Sequence, residues 1–311
     1  TLKLLMIIFD TVTKKYKENI TALEDVSFRV DPGEFTFIIG PSGAGKSTIM
    51  RLLIREEVPT AGTIFFNDIE VPRLNRRLLP AYRQKLGVVF QDIKLLNTKT
   101  LEENIAFALE ILDKSSKEIK DTTDYLLDLV GLRDRRDLFP YELSGGEQQR
   151  GAIARALANK PDVFIADEPT GNLDVDNAMQ ILDILKTINK TGTTVLVISH
   201  DLNLINRAKD RVINIKDGKL HSDTGAKEII IPKLTPKQEE KVKEKKNIEL
   251  SPEFNKLSKS LKEKLEKYAI KTPDILLNIT TDELKNMNLS KRENKELANF
   301  IKKYLNKKKN E

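Results

Sequence analysis

Over the first 225 residues, short apolar runs alternate with stretches of helical spacing. Glu34-Phe35-Thr36-Phe37-Ile38-Ile39 reads as a buried strand that ends in a glycine-rich turn, and Ser47–Ile54 then carries apolar residues at helical spacing. Leu86–Phe90, Val163–Ala166 and Thr194–Ile198 read as further unbroken apolar strands. Such runs belong in a sheet covered by helices on both faces, which predicts an α/β fold. Residues 101–140 have helical periodicity and few strand signals, as expected of a helical insertion.

Beyond Gly225 the pattern changes. Residues 226–250 are rich in Lys and Glu, with Pro232 and Pro236, and read as a solvated linker. Three helix starts follow. Ser251-Pro252 offers an N-cap with proline at N1, ahead of a Leu257, Leu261, Leu265 and Tyr268 stripe. Thr272-Pro273 starts a second short helix, and Ser290 with Glu293 forms a capping-box pattern before Leu297, Phe300, Ile301, Tyr304 and Leu305. The predicted organisation is an α/β domain over 1–225, a linker over 226–250 and a small all-α domain over 251–311.

Charge sharpens that division. The chain has 311 residues and a formal net charge of +6. Residues 1–225 hold 31 Lys and Arg against 33 Asp and Glu, whereas residues 226–311 hold 22 against 14. All the basic surplus therefore lies in the last quarter. The chain has no cysteine and only two histidines, His200 and His221. Disulfides, iron–sulfur clusters and thiolate zinc sites are excluded, and an imidazole-rich metal site is too. A hard, oxygen-liganded cation such as magnesium remains. No apolar run approaches the roughly 18–20 residues of a membrane span. The nearest, Leu4–Phe9, is too short, so the chain reads as cytoplasmic.

The chemistry begins at Gly40-Pro41-Ser42-Gly43-Ala44-Gly45-Lys46-Ser47, followed by Thr48, between a predicted strand and a predicted helix. It matches the phosphate loop G-x-x-x-x-G-K-[ST], in which glycines let successive backbone N–H groups face phosphate oxygens. The helix start adds its positive dipole end. Lys46 is expected to reach the β- and γ-phosphates and the Ser47 hydroxyl to ligate magnesium. Val163-Phe164-Ile165-Ala166-Asp167 is an apolar strand ending in an acid, with Glu168 next. There an aspartate can hold magnesium through water, and the glutamate can polarise an attacking water.

Leu143-Ser144-Gly145-Gly146-Glu147-Gln148-Gln149-Arg150 resembles the signature motif of ABC ATPases, and the remaining motifs of that family follow in order. Gln91 resembles its glutamine loop, a magnesium ligand and coupling hinge. Asn172-Leu173-Asp174 resembles its D-loop, and His200 its switch histidine on the γ-phosphate. Tyr16 fits a core position or an adenine platform equally well, and the resemblance implies the platform. His221 has no motif around it. The likeness covers residues 6 to about 222, with Met6 resembling the usual start. Gly151 departs from it, where relatives carry a β-branched or small apolar residue; glycine inside a helix costs up to ~1 kcal/mol relative to alanine.

The resemblance implies a P-loop ABC-type nucleotide-binding domain with a helical subdomain over about 92–145, and ATP and magnesium as cofactors. It further implies an ATP-bound homodimer in which each signature loop closes over the other protomer's γ-phosphate. Within the family, Tyr82–Leu96 and Ala166–Asp174 resemble the ATPases of cell division, which implies an integral membrane permease as partner and a place at the inner face of the membrane. The second phrase is shared with lipoprotein-release and macrolide-export ATPases. A third reading is a soluble ABC ATPase acting on nucleic acid through the basic tail. For that tail the alternatives are a bundle packing its own stripe, a nucleic-acid module or attraction to an anionic membrane surface. The Thr272–Leu305 phrase weakly resembles helix-hairpin-helix modules, but Asn286-Met287-Asn288-Leu289 lacks their glycine.

Overall fold

The computed structural model describes residues 7–16, 20–171, 173–226, 251–267 and 289–308, with positions 270, 273 and 276. Met6, Asn172, the linker from 227 to 250, Tyr268, Thr272 with most of the helix expected after it, and the Asn286–Asn288 segment lie outside the described residues. The chain divides into two compact units, Thr1–Pro232 and Lys233–Glu311.

In the first unit, β1 (Ile7–Lys15), β2 (Thr21–Val30) and β3 (Phe35–Ile39) lead into helix α1 (Lys46–Leu53). Then come β4 (Ala61–Phe66), β5 (Ile69–Glu70), α2 (Leu79–Arg83) and β6 (Leu86–Val89). The helices α3 (Leu101–Glu110), α4 (Ser116–Leu129) and α5 (Gly145–Leu157) precede β7 (Val163–Asp167). The unit closes with α6 (Val175–Lys190), β8 (Thr194–Ile198), α7 (Leu202–Ala208), β9 (Arg211–Lys216) and β10 (Lys219–Asp223).

Six strands form a sheet in the order β10-β9-β3-β8-β7-β6, parallel throughout except for the edge hairpin of β9 and β10. Its central strands are buried on both faces, and their alternation sorts two cores. Phe37, Phe164 and Val197 pack with the helices α3 to α7, while Ile38, Ile165 and Ile198 pack with α1, β1, β2 and β4. The second core is closed by a separate antiparallel sheet, β2-β1-β4-β5. That sheet is absent from the sequence-based reading. Its β1 ladder is broken by register shifts between Phe9 and Val12 and again before Lys15, which blur the period-two pattern.

The helical insertion is present. Thr100 with Glu103 and Ser115 with Glu118 form reciprocal capping boxes that start α3 and α4. The glycine inside α5 has a packing reason: a Cβ on Gly151 would stand 2.6 Å from Cδ1 of Leu101, so glycine lets α3 lie close to α5.

In the second unit, Ser251-Pro252 opens a 3-10 turn over Pro252–Lys256, and the α-helix expected there begins later, at α8 (Lys259–Lys267). The Ser251 hydroxyl bonds the Glu253 side chain and caps no backbone N–H. The last helix, α9 (Lys291–Lys308), starts with the expected reciprocal pair: Glu293 N–H donates to Ser290 Oγ, and Ser290 N–H to Glu293 Oε2 at 2.7 Å. Phe254, Leu257, Leu261, Leu265 and Leu297 form this unit's own core.

Candidate functional site

Parallel pairing sets four strand ends side by side. Ile38 of β3 pairs Ile198 of β8, Ile198 pairs Asp167 of β7, and Ala166 pairs Val89 of β6. The segments leaving these ends carry the phosphate loop, His200, Glu168 and Gln91. A cleft at the carboxyl edge of a parallel sheet is the usual ligand position in such folds.

The cleft, about 420 Å³, is lined by Pro41, Ser42, Gly43, Gly45, Lys46, Ser47, Thr48, Gln91, Asp167, Glu168 and His200, together with Ala22. Ala22 was not anticipated from sequence. It enters because β2 runs beneath the loop: Gly45 has a φ of +101°, and a Cβ there would stand 2.4 Å from the Ala22 carbonyl oxygen. Only glycine fits both constraints. Lys46 is buried and donates from Nζ to the carbonyls of Gly40 and Pro41, at 2.8 and 3.0 Å, which holds its charge over the loop.

Glu168 has a φ of +49°, a left-handed backbone uncommon outside glycine. Its N–H is fixed by the Ile198 carbonyl at 2.8 Å, and its Oε1 meets His200 Nδ1 at 2.8 Å. The Glu168 side chain is 10% exposed and the His200 side chain 71%, so one carboxylate sits inside the cleft with a solvent-facing imidazole on it.

Asp167 is buried beside Ser47, which donates a hydrogen bond to it. Burial pushes its carboxyl above the usual range, outweighing the Ser47 bond. Its Oδ1 has no hydrogen-bond partner. A buried carboxylate oxygen without a donor, next to a hydroxyl and the Gln91 amide, suits an oxygen-liganded cation. Among the described residues no trio of His, Asp or Glu gathers as a metal cage. The Ser47 hydroxyl, the Gln91 amide and the Asp167 carboxylate are hard oxygen donors, too few to enclose a cation by themselves.

Other expected site residues lie outside this lining. Ser144 and Gly145 are exposed at the start of α5, Gly146 is buried behind them, and Asp174 is exposed at the start of α6. Ser144 and Glu147 form a further capping box, and the Ser144 bonds hold the Glu147 carboxyl below its ordinary value. Beside Asp174, Val175 is 66% exposed, an apolar residue facing outward. Tyr16 is half-buried with Lys14 Nζ 4.9 Å from its ring centre, and it is not part of the cleft lining. A separate cavity of about 570 Å³, lined by residues of α4 and α6, holds none of the expected site residues. No helix among the described residues is long and apolar enough to cross a membrane.

Comparison with known proteins gives the family. Residues 23–171 match the ABC transporter family model. The chain is 48% identical over 220 residues to the cell division ATP-binding protein FtsE of Mycobacterium tuberculosis, covering 70% of this chain and 96% of that protein. It is 45% identical over 220 residues to FtsE of Escherichia coli K12, covering 71% and 99%. Among solved structures, the dimeric post-hydrolysis state of the ATP-binding cassette MJ0796 bound to ADP and Pi matches with a TM-score of 0.65 at 36% identity, over 72% of this chain and all of that one.

Proposed function

The chain belongs to the ABC transporter ATP-binding family, among the cell-division proteins named FtsE, and from that premise we propose how its residues bind and hydrolyse ATP. The supporting observation is the strand-end cleft that gathers the phosphate loop, Asp167, Glu168 and His200. Lys46, Ser42, Gly43, Gly45 and Thr48 hold the triphosphate, with Gly40, Pro41 and Ala44 shaping the loop. Tyr16 stacks on adenine. Ser47, Gln91 and Asp167 would hold magnesium, which when bound would neutralise charge developing on the phosphates.

Glu168 takes a proton from, or orients, the attacking water. His200, already bonded to Glu168 at 2.8 Å, keeps that water and the γ-phosphate in line. The signature residues Ser144, Gly145, Gly146 and Glu147, with Asp174, lie outside the cleft lining, and the outward Val175 beside them suits burial against a second copy. They complete the site of a partner protomer in an ATP-bound homodimer. The segment from Gln91 to Ser144 carries the resulting motion to an FtsX-like integral membrane permease. The protein thus acts as a peripheral subunit at the inner face of the cell membrane.

Substituting Glu168→Gln is expected to lower turnover by roughly 10²–10⁴-fold while ATP binding persists. Hydrolysis at the wild-type rate would overturn the assignment. Affinity capture of that variant with ATP from detergent-solubilised membranes tests the partner: co-purification of a small permease is expected. An exporter-type permease, or nucleic acid alone, would contradict the division reading.

A further inference from the structure

Helix α5, which the Ser144 turn starts, and the turn that starts α6 are tied together within one chain. Arg150 on α5 donates from Nη1 to Asn177 Oδ1 at 3.1 Å and to Gln180 Oε1 at 2.9 Å, both on α6. Asn177 in turn donates from its backbone N–H to Asp174 Oδ1 at 2.9 Å and from Nδ2 to Asp174 Oδ2 at 2.6 Å. One amide side chain therefore accepts from the signature helix and holds the carboxylate at the start of the next helix. The two elements touch closely: a Cβ on Gly146 would stand 2.5 Å from Asn177 Oδ1. Glycine at this position is what lets the amide reach across.

Ser144, Gly145 and Asp174 are exposed, while Gly146 is buried and Asn177 half-buried behind them. The link thus lies just beneath the surface offered to a second copy. We propose that Asn177 is a positioning residue that locks the Ser144–Gly146 turn to Asp174, so that both reach the partner protomer's ATP as one unit. The inference rests on the shared-site reading above. In-line attack tolerates little misplacement, so a signature turn that shifts against Asp174 would slow hydrolysis without weakening ATP binding by a single protomer.

Asn177→Ala and Arg150→Ala are each expected to lower kcat about tenfold, the loss of one such linkage. The ATP affinity of the isolated protomer should stay unchanged, and the Hill coefficient for ATP should fall toward one. The double variant should be no worse than either single one, because both break the same link. Asn177→Asp keeps the shape, the acceptor for Arg150 and the backbone donor to Asp174, but replaces the side-chain donor by a carboxylate that repels Asp174, so it should fold and still lose turnover. Unchanged kcat and Hill coefficient would overturn the inference, as would losses that multiply and follow the unfolding temperature. A Glu168→Gln protein that fails to dimerise with ATP would sink the shared site itself. If it dimerises while the Asn177 variants turn over normally, only the link fails.

Discussion

Asp167 at the end of β7, in the first unit, and Glu293 in the first turn of α9, in the second, are both nearly buried carboxylates, at 4% and 7% exposure. Their surroundings differ in kind. Glu293 accepts from Lys264 Nζ at 2.8 Å, Ser260 Oγ at 2.8 Å and Ser290 N–H at 2.7 Å. The Lys264 bond, with the serine donors behind it, holds its carboxyl down at about 2. Asp167 has the Ser47 hydroxyl and one oxygen without a donor, and burial raises its pKa. A buried carboxylate that the chain fully satisfies organises a fold. One that the chain leaves short belongs to a site completed from outside. The helices of the second unit are built the first way and the cleft of the first unit the second way.

Neutralising each carboxylate by its isosteric amide should separate the two roles. Asp167→Asn is expected to lower ATP turnover by roughly 10–100-fold, as for a residue that orients metal ligands. Its unfolding temperature should hold or rise, since a poorly compensated buried charge is removed. A clear drop in that temperature with normal turnover would make Asp167 structural. Glu293→Gln should do the reverse. It loses the ion pair to Lys264, so hydrogen exchange in α8 and α9 of the full chain should speed up while turnover stays at the wild-type level. Unchanged exchange would break the comparison.

Acid provides the finest distinction, because the two shifts have opposite signs. The Glu293 pKa is lower folded than unfolded, so its stabilisation is complete above the ordinary carboxylate pKa near 4.3 and is lost as pH falls toward 2. Asp167 is raised, so protonation favours the fold, and the benefit is lost as pH rises through its elevated value. Protection of α8 and α9 should therefore fall between pH 5 and 3 by more than the protection of β7. Equal losses in both units would contradict the assignment of Glu293.

What was readable in the chain follows the same division between local and assembled features. The phosphate loop, Asp167-Glu168 and Ser144–Glu147 stand as contiguous phrases, because each builds one turn that carries its functional groups on neighbouring residues. The central strands were readable because burial on both faces leaves no alternation to misread. The β2-β1-β4-β5 sheet was not, since shifted registers erase its period. Ser251-Pro252 looked like an α-helix start, yet without a side-chain cap bond the segment closes as a 3-10 turn. The links from Arg150 to Asn177 and from Gly45 to Ala22 join separate segments, and no local spacing encodes them.

The most direct test of the two-protomer site is the solution mass of the Glu168→Gln protein, by light scattering, with and without ATP and magnesium. A doubling of mass on adding ATP, reversed by Ser144→Arg at the signature turn, is expected. A protein that binds ATP and keeps the mass of one chain would contradict the shared site.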